Sequence, residues 1–164
     1  MTRPRTRRSA ASVSYDGAVP VFTLERTVPL SLEEAWRRLT TWSRHGEVVP
    51  LTRVTVLTPG PTRVGTEFVA RSGLGPLSFD DRMEVTVWQP PLSGEPGLVR
   101  LEKRGRVVLG WAELSVHPGP GGRTRVNWQE EIRLRLLPGA ADPLISVTAN
   151  SVFGRAVNKL LRMP

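Results

Sequence analysis

A chain of 164 residues with a formal charge of +8 is long enough to bury a core of its own and has the size of one domain. The absence of cysteine excludes a disulfide framework, a thiolate metal site and a cysteine nucleophile, and 39% hydrophobic with 23% charged residues is the balance of a globular protein. The lack of cysteine fits a reducing compartment, and no apolar run approaches the roughly 18 residues of a membrane span, so a cytoplasmic setting is the expectation.

Residues 1–18 read as a disordered basic tail. They carry Arg3, Arg5, Arg7 and Arg8 but no apolar h-region, so they do not form a secretory signal. A solvated arm is the plain reading, and contact with an anionic membrane surface is the alternative. Nucleic acid is disfavoured because the remaining arginines are scattered among acids with no continuous basic face. Residues 19–164 then make a single domain.

Its first strand spans 19–28, where β-branched and aromatic residues alternate with polar ones. A helix follows: Ser31 is its N-cap, Glu34 completes a capping box, and Ala35, Trp36 and Leu39 are spaced to bury one face. A second helical turn is expected over 41–45, ended by Gly46 and Pro50. From there to residue 136 the pattern is one of strands, at 52–58, 66–72, 77–89, 98–104, 108–117 and 124–136. They are punctuated by Pro59-Gly60-Pro61, Gly105-Arg106 and other Gly/Pro turns, as in an antiparallel meander.

Asp142 followed by Pro143 supplies an N-cap and a proline at the first helical position, so a long C-terminal helix should begin there. Ile145, Ala149, Val152, Phe153, Ala156 and Leu160 form its apolar stripe, while Asn150, Arg155 and Arg162 face water. The stripe must bury against the sheet, the one large apolar surface available. The fold class is therefore α+β: a curved antiparallel sheet of about seven strands around a long C-terminal helix, with two short helices after the first strand.

Four stretches carry a family likeness: VPLSLEEAWRRLTTW at 28–42, VGTEFVAR at 64–71, GPLSFDDRMEVTVWQPP at 75–91 and GGRTRVNWQEEI at 121–132. With the order of elements, they resemble the helix-grip fold of the START-like (SRPBCC) superfamily, in its polyketide cyclase/dehydrase and lipid-transport branch. The resemblance implies a cavity between sheet and long helix that takes apolar or aromatic molecules. It does not imply one chemistry, since a fold is a poor guide to activity.

Alternation sorts the candidate lining residues, because every second side chain of a strand faces a pocket beneath the sheet. Val126, Trp128, Glu130, Ile132 and Leu134 share one face, on which Glu130 is either a carboxylate with raised pKa suited to acid–base work or a strand-end group paired with a surface arginine. Phe79, Asp81, Met83, Val85 and Val87 form the core face of their strand, and Asp81 either enters the pocket mouth or caps a loop. Lys103 either pairs with Glu113 across the hairpin or reaches inward toward Glu130 or Asp81. Among the tryptophans, Trp111 and Trp128 are the lining candidates and Trp36 is core. Phe68, Met83, Leu101, Val152 and Phe153 complete the apolar set. His45 sits in the helix pair that the resemblance places at the pocket mouth, where it is an acid–base candidate or an exposed helix-end residue.

No metal is expected, since His45 and His117 are the only histidines and no thiolate is present. No cofactor is expected either, for there is no P-loop, nucleophile elbow or dinucleotide fingerprint. The leading functional expectation is binding, with transport as an extension, of a small hydrophobic or aromatic molecule such as a lipid, quinone or polyketide-like compound. The alternatives are a cofactor-free cyclase or dehydratase using Glu130, Asp81 or His45, and polyanion or membrane-surface binding through the tail. No feature of the sequence sets an oligomeric state.

Overall fold

The computed structural model describes residues 11–15, 20–135 and 154–162. The strands are β1 (Ala11–Tyr15), β2 (Pro20–Val28), β3 (Thr52–Val56), β4 (Glu67–Ser72), β5 (Phe79–Gln89), β6 (Gly97–Arg104), β7 (Val108–Pro118) and β8 (Thr124–Leu134). Helices α1 (Leu32–Thr40) and α2 (His45–Val48), joined by a 3₁₀ turn at Trp42–Arg44, lie between β2 and β3, and residues 154–162 form α3.

All strands join one antiparallel sheet in the order β1-β2-β8-β7-β6-β5-β4-β3. From β3 to β8 each strand pairs with its successor, because the Gly/Pro turns are too short for any other connection. Strand β2, early in the chain, pairs with the late β8, and the α1–α2 excursion carries the chain from β2 to the far edge at β3. The curled sheet and its helices, including the C-terminal one, make the helix-grip architecture.

Strand β6 shows how the sequence dictates the inner face. Gly97, Val99, Leu101 and Lys103 are buried, and the residues between them are partly exposed. The inner faces of β2, β5, β6, β7 and β8 pack with Ala35, Trp36 and Leu39 of α1 into the main core. Within it Leu24, Val85, Val99, Leu114, Val116 and Val126 are almost fully enclosed, each contributing about 1.5–3 kcal/mol through loss of apolar surface to water.

In α3, Ala156, Val157, Leu160 and Leu161 are buried while Arg155 and Arg162 are exposed. Two arginines hold this helix in place. Arg26 Nε on β2 donates to Asn158 Oδ1 at 2.9 Å, and Arg38 Nη1 on α1 donates to the Leu161 carbonyl at 2.7 Å. A guanidinium at a helix C-terminus also complements the helix dipole. The earlier part of the expected long helix, with Ile145, Ala149, Asn150, Val152 and Phe153, lies outside the described residues.

Four local features differ from the sequence reading. Residues 11–15, expected within a disordered tail of 1–18, form β1 and pair with β2, Val13 opposite Phe22. Their run ASVSY alternates apolar and polar residues, but five residues beside an arginine-rich stretch are a short signal; the strand supplies partners to a backbone edge that β2 would otherwise leave open. The capping box is half made: Ser31 Oγ accepts from Glu34 N at 3.1 Å, but the Glu34 carboxylate turns to Arg37 and Arg38. The second helix does not stop at Gly46 but runs through it to Val48. Here α2 presses on β3, and a Cβ on Gly46 would stand 3.0 Å from Val54 N.

The fourth difference is a bulge in β5. Val85 pairs with Leu101, but Val87 pairs with Arg100 and Trp88 with Val99. The extra residue reverses the phase, so Trp88, not Val87, joins the core side, its ring 5.0 Å from that of Trp36. No helix among the described residues is long and apolar enough to cross a membrane.

Candidate functional site

The concave face of the sheet does not close completely on the helices. A cavity of about 270 Å3 remains, lined from β3 to β8 and reached by α2 and α3 through His45 and Ala156. Its walls are mostly apolar, with Phe68 on β4, Met83 on β5, Leu101 on β6, Leu114 on β7 and Trp128 on β8. Ligand pockets commonly run from roughly 300 to 1,000 Å3, so this one suits a compact molecule better than a two-chain lipid.

The polar part of the cavity is built from three strands. Lys103 Nζ on β6 donates to Asp81 Oδ2 on the neighbouring β5 at 2.7 Å, and lies 3.0 Å from Glu130 Oε1 on β8. Met83 Sδ is a weak third acceptor at 3.9 Å. Strand β7 runs between β6 and β8, so the Lys103–Glu130 pair must reach across it. Gly110 and Ala112 allow this, for Gly110 pairs with Lys103 on one side and Ala112 with Glu130 on the other, and neither fills the space above the strand. Gly110 could hardly be another residue: its φ is +124°, and an added Cβ would meet Glu131 O at 2.1 Å.

The side chains of Lys103 and Glu130 are 2% and 4% exposed, and that of Asp81 15%. Burial opposes the charge on Lys103, but the pull of Glu130 and Asp81 outweighs it and holds the ammonium above its ordinary pKa. Burial pushes Glu130 above the usual carboxylate range, helped by the charge of Asp81 and countered by Lys103 and by the indole of Trp128, whose Nε1 donates to Oε2 at 3.2 Å. One ammonium thus serves two carboxylates in an apolar enclosure, where charge is costly. Asp81 Oδ1, shielded from water, has no hydrogen-bond partner among the described residues.

His45 enters the cavity from α2. Its Nε2–H donates to the Leu39 carbonyl at 2.8 Å, and its ring stands between those of Trp42 and Trp128, with centroids 5.7 and 5.8 Å away. Burial lowers its pKa more than the carbonyl bond raises it, so the neutral imidazole is favoured. Trp42 stacks on Phe68 at 4.7 Å and 12°, and donates from Nε1 to Thr62 Oγ1 at 3.1 Å.

Of the residues singled out from the sequence, Glu130, Asp81, His45, Trp128, Phe68, Met83, Leu101 and Lys103 all line this cavity. Trp111 does not. It points from the outer face of β7, where the Arg100 guanidinium lies 4.5 Å from its ring, and Arg100 also reaches Glu113. The alternation of β7 contained the correction, since Val108, Ala112, Leu114 and Val116 form its buried phase and Trp111 falls in the other. Val152 and Phe153 lie outside the described residues. Trp36 is core, as expected. Trp42 is the aromatic wall that sequence reasoning missed. It sits in the 3₁₀ turn, where neither strand nor helix periodicity assigns a face.

Among the described residues no group of three or more His, Asp and Glu side chains is arranged to hold a metal ion. The polar groups instead offer proton donors and acceptors next to an apolar volume.

A family model described as polyketide cyclase / dehydrase and lipid transport matches residues 20–163. No curated protein sequence matches the chain. Among solved structures, the Zhui aromatase/cyclase from Streptomyces sp. R1128 is similar with a TM-score of 0.60 at 14% identity, over 87% of this chain and 93% of that one. The human StarD13 lipid transfer and protein localization domain is similar with a TM-score of 0.64 at 13% identity, over 97% and 92%. A point mutant of norcoclaurine synthase from Thalictrum flavum, in complex with a transition-state analogue, gives 0.58 at 15%, over 94% and 97%. At these identities the likeness is one of fold.

Proposed function

Because the chain belongs to the polyketide cyclase/dehydrase and lipid transport family, we propose that it binds a small hydrophobic or aromatic molecule in the cavity between sheet and helices. The observation that carries this reading is the cavity itself: a mostly apolar enclosure with one polar cluster at Lys103, Asp81 and Glu130. Apolar walls supply affinity through area removed from water, and a few fixed polar groups supply orientation. The rings of Trp42, Phe68 and Trp128 favour a flat partner, since aromatic faces gain from stacking beyond simple burial.

The test is native mass spectrometry of the full chain purified from its own host. A bound species of a few hundred daltons, released on denaturation and displaced by an added polycyclic aromatic, is the expected result. A chain that carries nothing and fails to take up any apolar compound overturns the reading.

One observation favours a second reading, that of a cofactor-free cyclase or dehydratase. Glu130 lies inside the cavity with its pKa raised by burial, as a carboxyl group that exchanges a proton near neutral pH requires. In that case Glu130 is the acid–base group, Lys103 and Asp81 position it, and His45 is a neutral acceptor across the cavity. Given a substrate, Glu130→Gln should abolish turnover while leaving binding within a few-fold. Normal turnover in that variant removes Glu130 from the chemistry.

A further inference from the structure

The hydrogen-bonding inventory of the cavity is lopsided. Among the described side chains that line it, each polar hydrogen is already committed. Lys103 Nζ donates to Asp81 and faces Glu130 and Met83, Trp128 Nε1 donates to Glu130, Trp42 Nε1 to Thr62, and His45 Nε2 to the Leu39 carbonyl. The hydroxyls of Thr52 and Ser72 bond to each other at 2.8 Å, with Thr52 also directed at the Pro50 carbonyl. What remains open is of the opposite kind: Asp81 Oδ1, buried without a partner among the described residues; His45, with Nε2 carrying the proton to Leu39, has no second N–H to offer.

From this asymmetry we infer that the cavity selects ligands bearing a neutral hydrogen-bond donor, a phenolic or alcoholic hydroxyl, over carboxylates and over ligands whose only polar atoms are acceptors. The inference rests on the proposal that the cavity holds an apolar ligand, and narrows its chemical class. A hydroxyl placed beside Asp81 satisfies an oxygen whose burial without a bond is unfavourable. A carboxylate finds no free donor among the described lining side chains and meets two carboxylates of like sign. An ether or ketone buries its oxygen beside other acceptors.

Oδ1 is shielded in this arrangement, but the terminal torsion of an aspartate is broad and twofold. A modest turn therefore presents one oxygen to the ligand while the other keeps Lys103. A ligand ammonium is disfavoured relative to a hydroxyl, because it must shed far more hydration to enter the apolar enclosure and would share Asp81 with Lys103.

Four probes of one shape make the test on the full chain, with tryptophan fluorescence as the readout: 2-naphthol, 2-methoxynaphthalene, 2-naphthoate and 2-naphthylmethylamine at pH 7. The naphthol should bind about tenfold or more tightly than the ether and the carboxylate, the factor expected for one buried polar group satisfied rather than left open. Asp81→Asn keeps the shape, holds its one carbonyl oxygen on Lys103 and turns an N–H2 to the cavity, so it should reduce that ratio to below about threefold. The comparison of probes on the unaltered chain stands even if the variant does not fold. Equal binding of naphthol and ether, or tighter binding of the naphthoate, overturns the donor preference and leaves the apolar-ligand reading intact. Tighter binding of the amine overturns the neutral character of the donor. Binding of none of the four overturns the apolar-ligand reading and the inference with it.

Discussion

Lys103 is the residue on which the interior depends. Taking it away leaves Asp81 and Glu130 buried without a counter-charge, so Lys103→Met should cost about 3–5 kcal/mol of folding stability at pH 7, read from urea denaturation. The sign of the pH dependence follows from the shifts of two buried groups, a carboxyl and an imidazole. Glu130 has a folded-state pKa above its ordinary 4.5, so its contribution is full below 4.5 and is lost as pH rises through the raised value. Glu130→Gln should flatten that decline in a series of denaturation curves from pH 4 to 9. His45 is shifted the other way, below 6.5. Its contribution is present above 6.5 and is lost as pH falls through the lowered value. His45→Phe, which keeps a ring between Trp42 and Trp128, should remove that part of the acid destabilisation, and an unchanged acid limb would show that the imidazole does not titrate there.

At this scale the sequence was a fair guide to which side chains face inward and a poor one to what they do there. Glu130 and Lys103 stand out as charges on apolar faces of β8 and β6, because a period of two is a property of the strand alone. Their pairing was legible only as one of two alternatives beside a Lys103–Glu113 bridge, since choosing it requires β7 to be slim at Gly110 and Ala112, and nothing local links these positions to a lysine on the adjacent strand. The open acceptor on Asp81 is likewise a fact of three-dimensional accounting. Trp42 escaped because a 3₁₀ turn has no repeating face, and Trp111 lies outside the cavity because the buried phase of β7 runs through Ala112 and Leu114, so aromatic character alone does not place a side chain inward.

At the level of the elements, the strands from β2 to β8 are written in the turns between them. Their limits differ from the sequence expectation by no more than two residues, since glycines and prolines end a strand wherever the fold places it. The β5 bulge is a different case. Either phase of the run at residues 85–89 puts an apolar or aromatic side chain inward, so the local pattern accepts both, and the tertiary contact of Trp88 with Trp36 selects one. Strand β7 carries the sharpest prediction. Gly110→Ala combines a backbone conformation unfavourable to a Cβ with a clash against Glu131 O, and should cost at least about 2 kcal/mol. Because Gly110 neighbours the Lys103–Glu130 crossing, the same change should also weaken binding of a naphthol probe. An unaltered melting temperature would mean that the β7–β8 ladder is more pliable than its register implies.

For the molecule as a whole, folding and cargo draw on the same surface. A ligand that occupies the cavity binds the folded chain and not the unfolded one, so stability should rise with its concentration, by about 2.7 kcal/mol at one hundred times its Kd. Thermal melts of the full chain in increasing 2-naphthol check this, and a melting temperature that stays fixed at saturating probe would place the probe outside the fold. The overall architecture was legible because it follows from gross features: a meander too tightly connected to form anything but hairpins, and an apolar helical stripe with one surface to cover. The interior volume was not, since it depends on how far the sheet curls and on how closely the helices approach.

The crossing over β7 has a mechanical side. Backbone ladders fasten each strand to its immediate neighbours, whereas the contact between Lys103 and Glu130 ties β6 directly to β8 with β7 beneath it. The amides of β7 around Ala112 should accordingly be among the slowest in the molecule to exchange with heavy water, slower than those of β4 near the sheet margin. Cutting the tie in Lys103→Met should quicken them selectively, beyond the general acceleration that lower stability brings.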